Sequence, residues 1–124
     1  MSRPVRAALV SVSSTELTST EKSLLEKYNP LGVSLFNRNI ATPQQLQKLI
    51  ADIKETLGRE DALIAVDQEG GRVRRLREPD FRAYAGQQTL GRLYTEVSPA
   101  AAQKAVKIQA ALIAADLHSL GINL

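Results

Sequence analysis

Cysteine is absent from the 124 residues, so neither a disulfide nor a thiolate-bound metal is available. That absence fits a reducing compartment. Tryptophan is also missing, and phenylalanine and tyrosine together make up only 4% of the chain. Few aromatic platforms are left for stacking single-stranded bases. His118 is the single histidine. No apolar run approaches the roughly 18 residues that cross a membrane. The opening Met1-Ser2-Arg3-Pro4-Val5-Arg6 leads into an apolar stretch only a few residues long, which is too short for a secretory signal. The expected address is the cytoplasm, with no membrane partner.

What remains is the composition of an ordinary folded domain, 44% hydrophobic and 23% charged, at a length that suits one domain. The formal charge of +3 is local in origin. Arg72, Arg74, Arg75 and Arg77 carry four positive charges, and without them the chain would stand at −1. One arginine cluster with few aromatics is a poor nucleic-acid surface, and no nucleic-acid partner is expected.

That cluster belongs to the most distinctive stretch of the sequence, Leu63-Ile64-Ala65-Val66-Asp67-Gln68-Glu69-Gly70-Gly71-Arg72-Val73-Arg74-Arg75-Leu76. A short apolar run bounded by glycine reads as a buried strand of a parallel sheet. Asp67 then falls at the strand's carboxyl end, where α/β proteins place their ligand chemistry. Gly70 and Gly71 allow a sharp turn at φ values other residues resist. The arginines beyond can return to the same mouth as fork-shaped donors. A carboxylate and a guanidinium on one rim suit a polar, hydroxyl-rich or anionic ligand.

Around this stretch the chain alternates strand-like and helix-like segments, the rhythm of βα units about a parallel sheet. Val5 to Val12 reads as a first strand. Thr18-Ser19-Thr20-Glu21 is a capping box opening a short helix with Leu24, Leu25 and Tyr28 on its apolar side, and Asn29-Pro30 stops it. Leu31 to Phe36 reads as a second strand leading into Asn37-Arg38-Asn39. Thr42-Pro43-Gln44-Gln45 supplies an N-cap, a proline at the first helical position and a capping-box glutamine. Leu46, Leu49, Ile50, Ile53 and Leu57 then form one stripe on the clearest helix, which Gly58 ends.

Leu63 to Val66 is the third strand, and Gln68 to Val97 is a long connection that must serve a site or hide short elements. Ser98-Pro99 opens an alanine-rich helix to about Leu120, with Val106, Ala110, Ile113, Leu117 and Leu120 expected on its buried side. Gln103, Lys104, Lys107 and His118 fall on the other side. Asp116 lies nearer the apolar side and is expected to pair with a neighbouring helix. Gly121 closes the helix, and Ile122-Asn123-Leu124 reads as the start of a fourth strand. Three βα units plus the beginning of a fourth strand make an incomplete sheet with exposed edges, the N-terminal part of a larger domain.

Taken together, Gly32-Val33-Ser34-Leu35-Phe36-Asn37-Arg38-Asn39, the Asp67 to Leu76 run and Leu120-Gly121-Ile122-Asn123-Leu124 resemble the family 3 glycoside hydrolases. The likeness is greatest to the bacterial β-N-acetylhexosaminidases of cell-wall recycling. It spans nearly the whole chain in order, and the D-x-E-G-G-R-V-x-R pattern is specific. The resemblance implies an α/β fold: the N-terminal part of a (β/α)8 TIM barrel, about three βα units plus the start of a fourth strand, with residues 1–124 forming one incomplete domain.

It also implies a substrate-binding role for Asp67 and Arg75 toward an N-acetylglucosamine-containing saccharide, with no metal and no organic cofactor. Glu69, Arg72 and Arg38 are expected to support them through pairing with each other or with neighbouring loops, Arg74 and Arg77 to be solvated, and His118 to have no role. In the resembled enzymes the nucleophile is an aspartate. The acid/base is a histidine in a lysine-histidine-phenylalanine-proline-glycine-histidine run. Both lie C-terminal to the matched region. No such run occurs here, so no catalytic residue is assigned and the isolated chain is expected to be inactive.

A further departure is that Asp80-Phe81-Arg82-Ala83-Tyr84-Ala85 lacks the proline the family usually carries before its next helix. The alternatives are a non-catalytic sugar-binding module and a truncated, inactive relative that forms homo-oligomers through its exposed edges.

Overall fold

The computed structural model describes residues 3–124; Met1 and Ser2, part of the N-terminal stretch read above, lie outside the described residues. Three parallel strands form the sheet in the order β1 (Arg6–Val10), β2 (Pro30–Leu35), β3 (Leu63–Val66). Helix α1 (Ser19–Tyr28) connects the first pair and α2 (Pro43–Leu57) the second. The four-residue alignment of Gly32, Val33, Ser34 and Leu35 with Leu63, Ile64, Ala65 and Val66 fixes β2 against β3. Gly32 is required there, because a Cβ would sit 1.9 Å from the Leu63 carbonyl oxygen.

Helix α2 covers the sheet. Leu46, Leu49, Ile50, Ile53 and Leu57 are all buried, and they join Val33, Leu35 and Ile64 in the core. Each such aliphatic side chain contributes roughly 1.5–3 kcal/mol through burial, so this one stripe anchors the fold. Thr42 caps the helix by accepting from the Gln45 amide at 3.2 Å, and Gly58 closes it at φ 65°. Gln45 works differently from the expected capping box. Its side chain accepts from the Ala41 amide and donates to the Thr15 and Asn39 carbonyls, tying two loops together.

Helix α1 has the full reciprocal capping box between Thr18 and Glu21. Of its expected apolar residues only Leu25 is buried, while Leu24 and Tyr28 remain exposed. The helix ends at Asn29, which is left-handed at φ 44° rather than extended before its proline. Asparagine tolerates that conformation because its short amide bonds locally. Here the Asn29 Nδ2 donates to the Arg3 and Pro4 carbonyls and its Oδ1 accepts from Arg59.

The long connection after β3 does hide short elements. A hairpin of β4 (Gln68–Gly70) and β5 (Val73–Arg74) comes first, then α3 (Gln87–Arg92) and a π-turn at Leu93–Val97. Helix α4 (Pro99–Ser119) follows, capped by Ser98. Its inner side departs from expectation. Val106 and Ala110 are exposed, Ile113 and Leu117 are half-buried, and Ala102 is the helix's buried residue. The C-terminal end of the expected stripe is covered, with Leu120 buried in the core and Leu117 packed against it, whereas among the described residues nothing covers Val106 and Ala110.

Beyond α4, residues 122–124 are not a regular strand, yet they bond as a parallel neighbour of β3. Leu124 donates to the Ile64 carbonyl and accepts from the Val66 amide, both at 3.1 Å. Asn123 adds its side chain to the Ile64 amide and the Ala62 carbonyl. The fourth position in the sheet is thus occupied.

Candidate functional site

Parallel strands bring their carboxyl ends to one rim. Because Leu35 pairs with Val66, the next residues, Phe36 and Asp67, stand side by side there. Arg75 returns to this point from the far arm of the hairpin. Its Nη2 lies 2.9 Å from Asp67 Oδ2, and its guanidinium carbon is 5.7 Å from the centre of the Phe36 ring. Arg38 approaches the same ring at 5.0 Å and donates from Nε to the Val12 carbonyl. Asp67 keeps 55% of its side-chain surface exposed and Arg75 25%. The pair is therefore joined but open to a ligand.

The hairpin holds this arrangement through Gln68. Its Oε1 accepts from the amides of Arg75 at 2.9 Å and Leu76 at 3.1 Å, and its Nε2 donates to the Leu76 carbonyl. The residue next to the carboxylate thereby fixes the backbone that carries the guanidinium. Gly70 and Gly71 turn the chain at φ 85° and 58°, the left-handed region that glycine enters without steric cost.

Asp67 and Arg75, the two site residues named from sequence, are thus brought together. Several neighbours behave otherwise than expected. Arg74 is not solvated: it donates to the Gly71 carbonyl and to Glu78, bracing the turn. Glu69 and Arg72 are exposed and pair with nothing among the described residues. Arg38 bonds a backbone carbonyl instead of an acid. Arg77 and His118 are exposed, as expected.

Asp116 pairs with the loop before α3 instead of with a helix. The Tyr84 hydroxyl donates to its Oδ2, and Arg82 lies 3.7 Å from its Oδ1. Burial, followed by that bond to a carboxylate, pushes the Tyr84 hydroxyl up to about 12, so it remains a donor. Two contributors went unnamed in the sequence. Phe36 was signalled only by its place after an apolar strand, and Gln68 only by adjacency to Asp67. The loop does carry a proline, Pro79, just ahead of the segment that lacks one.

A cavity of about 290 Å³ lies beside the hairpin, lined by Gln68, Leu76, Tyr84, Asp116, Leu117 and Leu120 among others; Asp67 and Arg75 do not line it. Among the described residues no group of three acidic or histidine side chains could hold a metal ion, and no helix is long and apolar enough to cross a membrane.

No family model matches the sequence. A beta-hexosaminidase of Xanthomonas axonopodis pv. citri is 40% identical over 116 residues, covering 94% of this chain and 34% of the relative. NagZ of Neisseria gonorrhoeae, solved in complex with zinc ion, superposes with a TM-score of 0.88 at 32% identity, covering 96% of this chain and 35% of that one. The same protein in complex with N-trifluoroacetyl-D-glucosamine gives 0.85 at 33% identity, over 94% of this chain and 34% of that one. A family 3 β-N-acetylglucosaminidase from Paenibacillus gives 0.79 at 28% identity, with 96% of this chain and 21% of that one covered.

Over nearly its whole length the chain is similar to a portion of these beta-hexosaminidases and of a family 3 β-N-acetylglucosaminidase. It spans about a third of the length of the beta-hexosaminidases it matches. Its mixed α/β layout, with helices packed on a parallel sheet, is the layout of the N-terminal part of NagZ.

Proposed function

We propose that the chain supplies the Asp67–Arg75 part of the terminal-sugar site of a retaining β-N-acetylhexosaminidase, with residues 1–124 forming the first units of a (β/α)8 barrel. The substrate is an N-acetylglucosamine-containing glycoside derived from the cell wall and handled in the cytoplasm. One observation carries this reading: a carboxylate and a guanidinium meet at 2.9 Å on the carboxyl rim of a chain similar to proteins named beta-hexosaminidase. Ionised carboxylates accept from vicinal hydroxyls, and arginine donates to them from a planar fork. Asp67 Oδ1 has no partner among the described residues and is available for such a bond.

Retaining hydrolysis needs a carboxylate nucleophile and a second group that protonates the leaving oxygen. Asp67 engaged with Arg75 is a binding group, and His118 is exposed on α4. The chain alone therefore binds without turning over. Calorimetric titration should show N-acetylglucosamine binding that Asp67→Ala abolishes, while a chromogenic N-acetylglucosaminide is not hydrolysed. Absence of binding would remove the sugar site, and turnover at an enzyme's rate would overturn the assignment of the chemistry to other segments. The alternative, an inactive relative that oligomerises, is favoured by the exposed apolar residues of β1, α1 and α4.

A further inference from the structure

The Asp67–Arg75 pair is partly exposed, yet the loop that presents it is tied to α4 by an unbroken series of contacts. At the tip of the hairpin, the Gly71 amide donates to the Tyr84 carbonyl at 2.9 Å. The two backbones approach so closely that a Cβ on Gly70 would lie 2.4 Å from the Ala85 oxygen, and one on Gly71 would lie 2.7 Å from the Gly86 Cα. Residues 84–86 are thus the seat on which the hairpin rests.

That seat is fixed to α4 at two points about two helical turns apart. The Gln109 amide group binds both backbone groups of Ala85: Oε1 accepts from its N–H at 3.0 Å, and Nε2 donates to its carbonyl at 2.9 Å. The Tyr84 hydroxyl donates to Asp116, which Arg82 also approaches. A side-chain amide that matches both groups of one peptide residue holds it as a strand partner would, and leaves neither group unsatisfied.

We propose that Gln109 and Tyr84 are positioning residues for the Asp67–Arg75 pair, holding residues 84–86 so that the hairpin keeps Arg75 against Asp67. Its consequence for ligand rests on the sugar-site reading above; its geometry does not. Neither residue touches the pair. Their effect runs through the Gly71–Tyr84 bond and the Gln68 clamp, which set where Arg75 leaves the backbone.

The test measures hydrogen exchange by NMR on the whole chain, at the Gly71 amide and the Arg75 side-chain N–H, with the Val33 and Ile64 amides as core references. Gln109→Ala should accelerate exchange at Gly71 and Arg75 by about tenfold, the scale of one lost hydrogen bond, while the core references stay protected. Gln109→Glu keeps the acceptor for the Ala85 N–H but loses the donor to its carbonyl, and should fall between wild type and alanine. Lys104→Ala, at an exposed position of the same helix, should change nothing.

Unaltered Gly71 and Arg75 protection in the Gln109→Ala/Tyr84→Phe double variant would overturn the proposal. So would equal loss at the core references in Gln109→Glu, because the role would then be general stability. N-acetylglucosamine titrated into the same samples separates the two readings. Faster exchange in Gln109→Ala, with no sugar bound even by the unsubstituted chain, leaves the positioning intact and removes the sugar site. Binding weakened about tenfold in Gln109→Ala at an unchanged melting temperature supports both.

Discussion

Gly70 shows how much of the site depends on single backbone positions. Its φ of 85° is one that L side chains rarely adopt, and a Cβ there would strike a backbone oxygen, which cannot swing aside as a flexible side chain would. Gly70→Ala should cost about 1–3 kcal/mol, the range for a strained left-handed residue. The measurement is a denaturant midpoint at unchanged slope, accompanied by loss of N-acetylglucosamine binding as the hairpin lifts from residues 84–86. Arg75→Lys makes the opposite split. The Asp67–Arg75 pair is partly solvated, and such ion pairs contribute about 0–1 kcal/mol, so the melting temperature should barely move. The planar fork is lost, however, and affinity for the sugar should fall at least about tenfold by calorimetry. Equal affinity in Arg75→Lys would mean that charge alone suffices. At this scale the sequence was legible where a residue type has few uses, as with the glycine pair and the rim carboxylate. Arg74 was misjudged because an arginine beside a turn can face solvent or its own backbone, and only the folded turn decides.

Elements were read best where capping and periodicity agreed. Helix α2 has a threonine cap, a proline at the first position, a five-residue stripe and a closing glycine, and all four took the expected places. Ile53 is fully buried in that stripe, so Ile53→Ala should destabilise by about 2–5 kcal/mol through lost burial and a cavity, measured by urea unfolding. Helix α1 relies more on its cap, since only Leu25 is buried. Thr18→Ala should cost about 1 kcal/mol. The same box sets a pH dependence. Burial disfavours the Glu21 charge, but bonds from the Thr18 and Ser13 amides and the Thr18 hydroxyl outweigh it and hold the carboxyl below its ordinary value of 4.5. A depressed acid contributes stability that is fully present above the unfolded value and lost as pH falls through the folded one. Wild type should thus exceed Glu21→Gln in stability at pH 7, with the margin shrinking below about pH 4.5. A margin that grows toward acid would contradict the cap geometry. The turn at Gly70 and Gly71 and the return of the arginines were legible, but the two strands of the hairpin were not, because strands of three and two residues carry too little alternation to stand out from a loop.

For the whole molecule, an apolar stripe told which side of α4 is greasy but not whether anything covers it. Burial of a helix face depends on neighbours distant in sequence, and local pattern holds no record of them. Val106 of that stripe is 46% exposed, Ile108 and Leu112 on another side of α4 are 51% and 39% exposed, and Val5, Leu9, Leu24 and Tyr28 of the N-terminal units are between 43% and 47% exposed. A groove of about 400 Å³ runs between β1 and α1 beside the latter group, lined by Val10, Val12, Leu24, Leu25 and Tyr28. Among the described residues strand β1 pairs only with β2, which leaves its other edge open for hydrogen bonding. A free edge beside uncovered aliphatic side chains drives association between copies. The purified chain should therefore show a sedimentation-average mass that rises with concentration, and a melting temperature that rises with it. Leu9→Lys would place a charge on the edge strand and Ile108→Glu one on α4; each should lower the mass at a given concentration, and the pair together should do so most. A monomer at all concentrations, unfolding cooperatively, would show that these surfaces are tolerated in water and that the core under α2 is sufficient by itself.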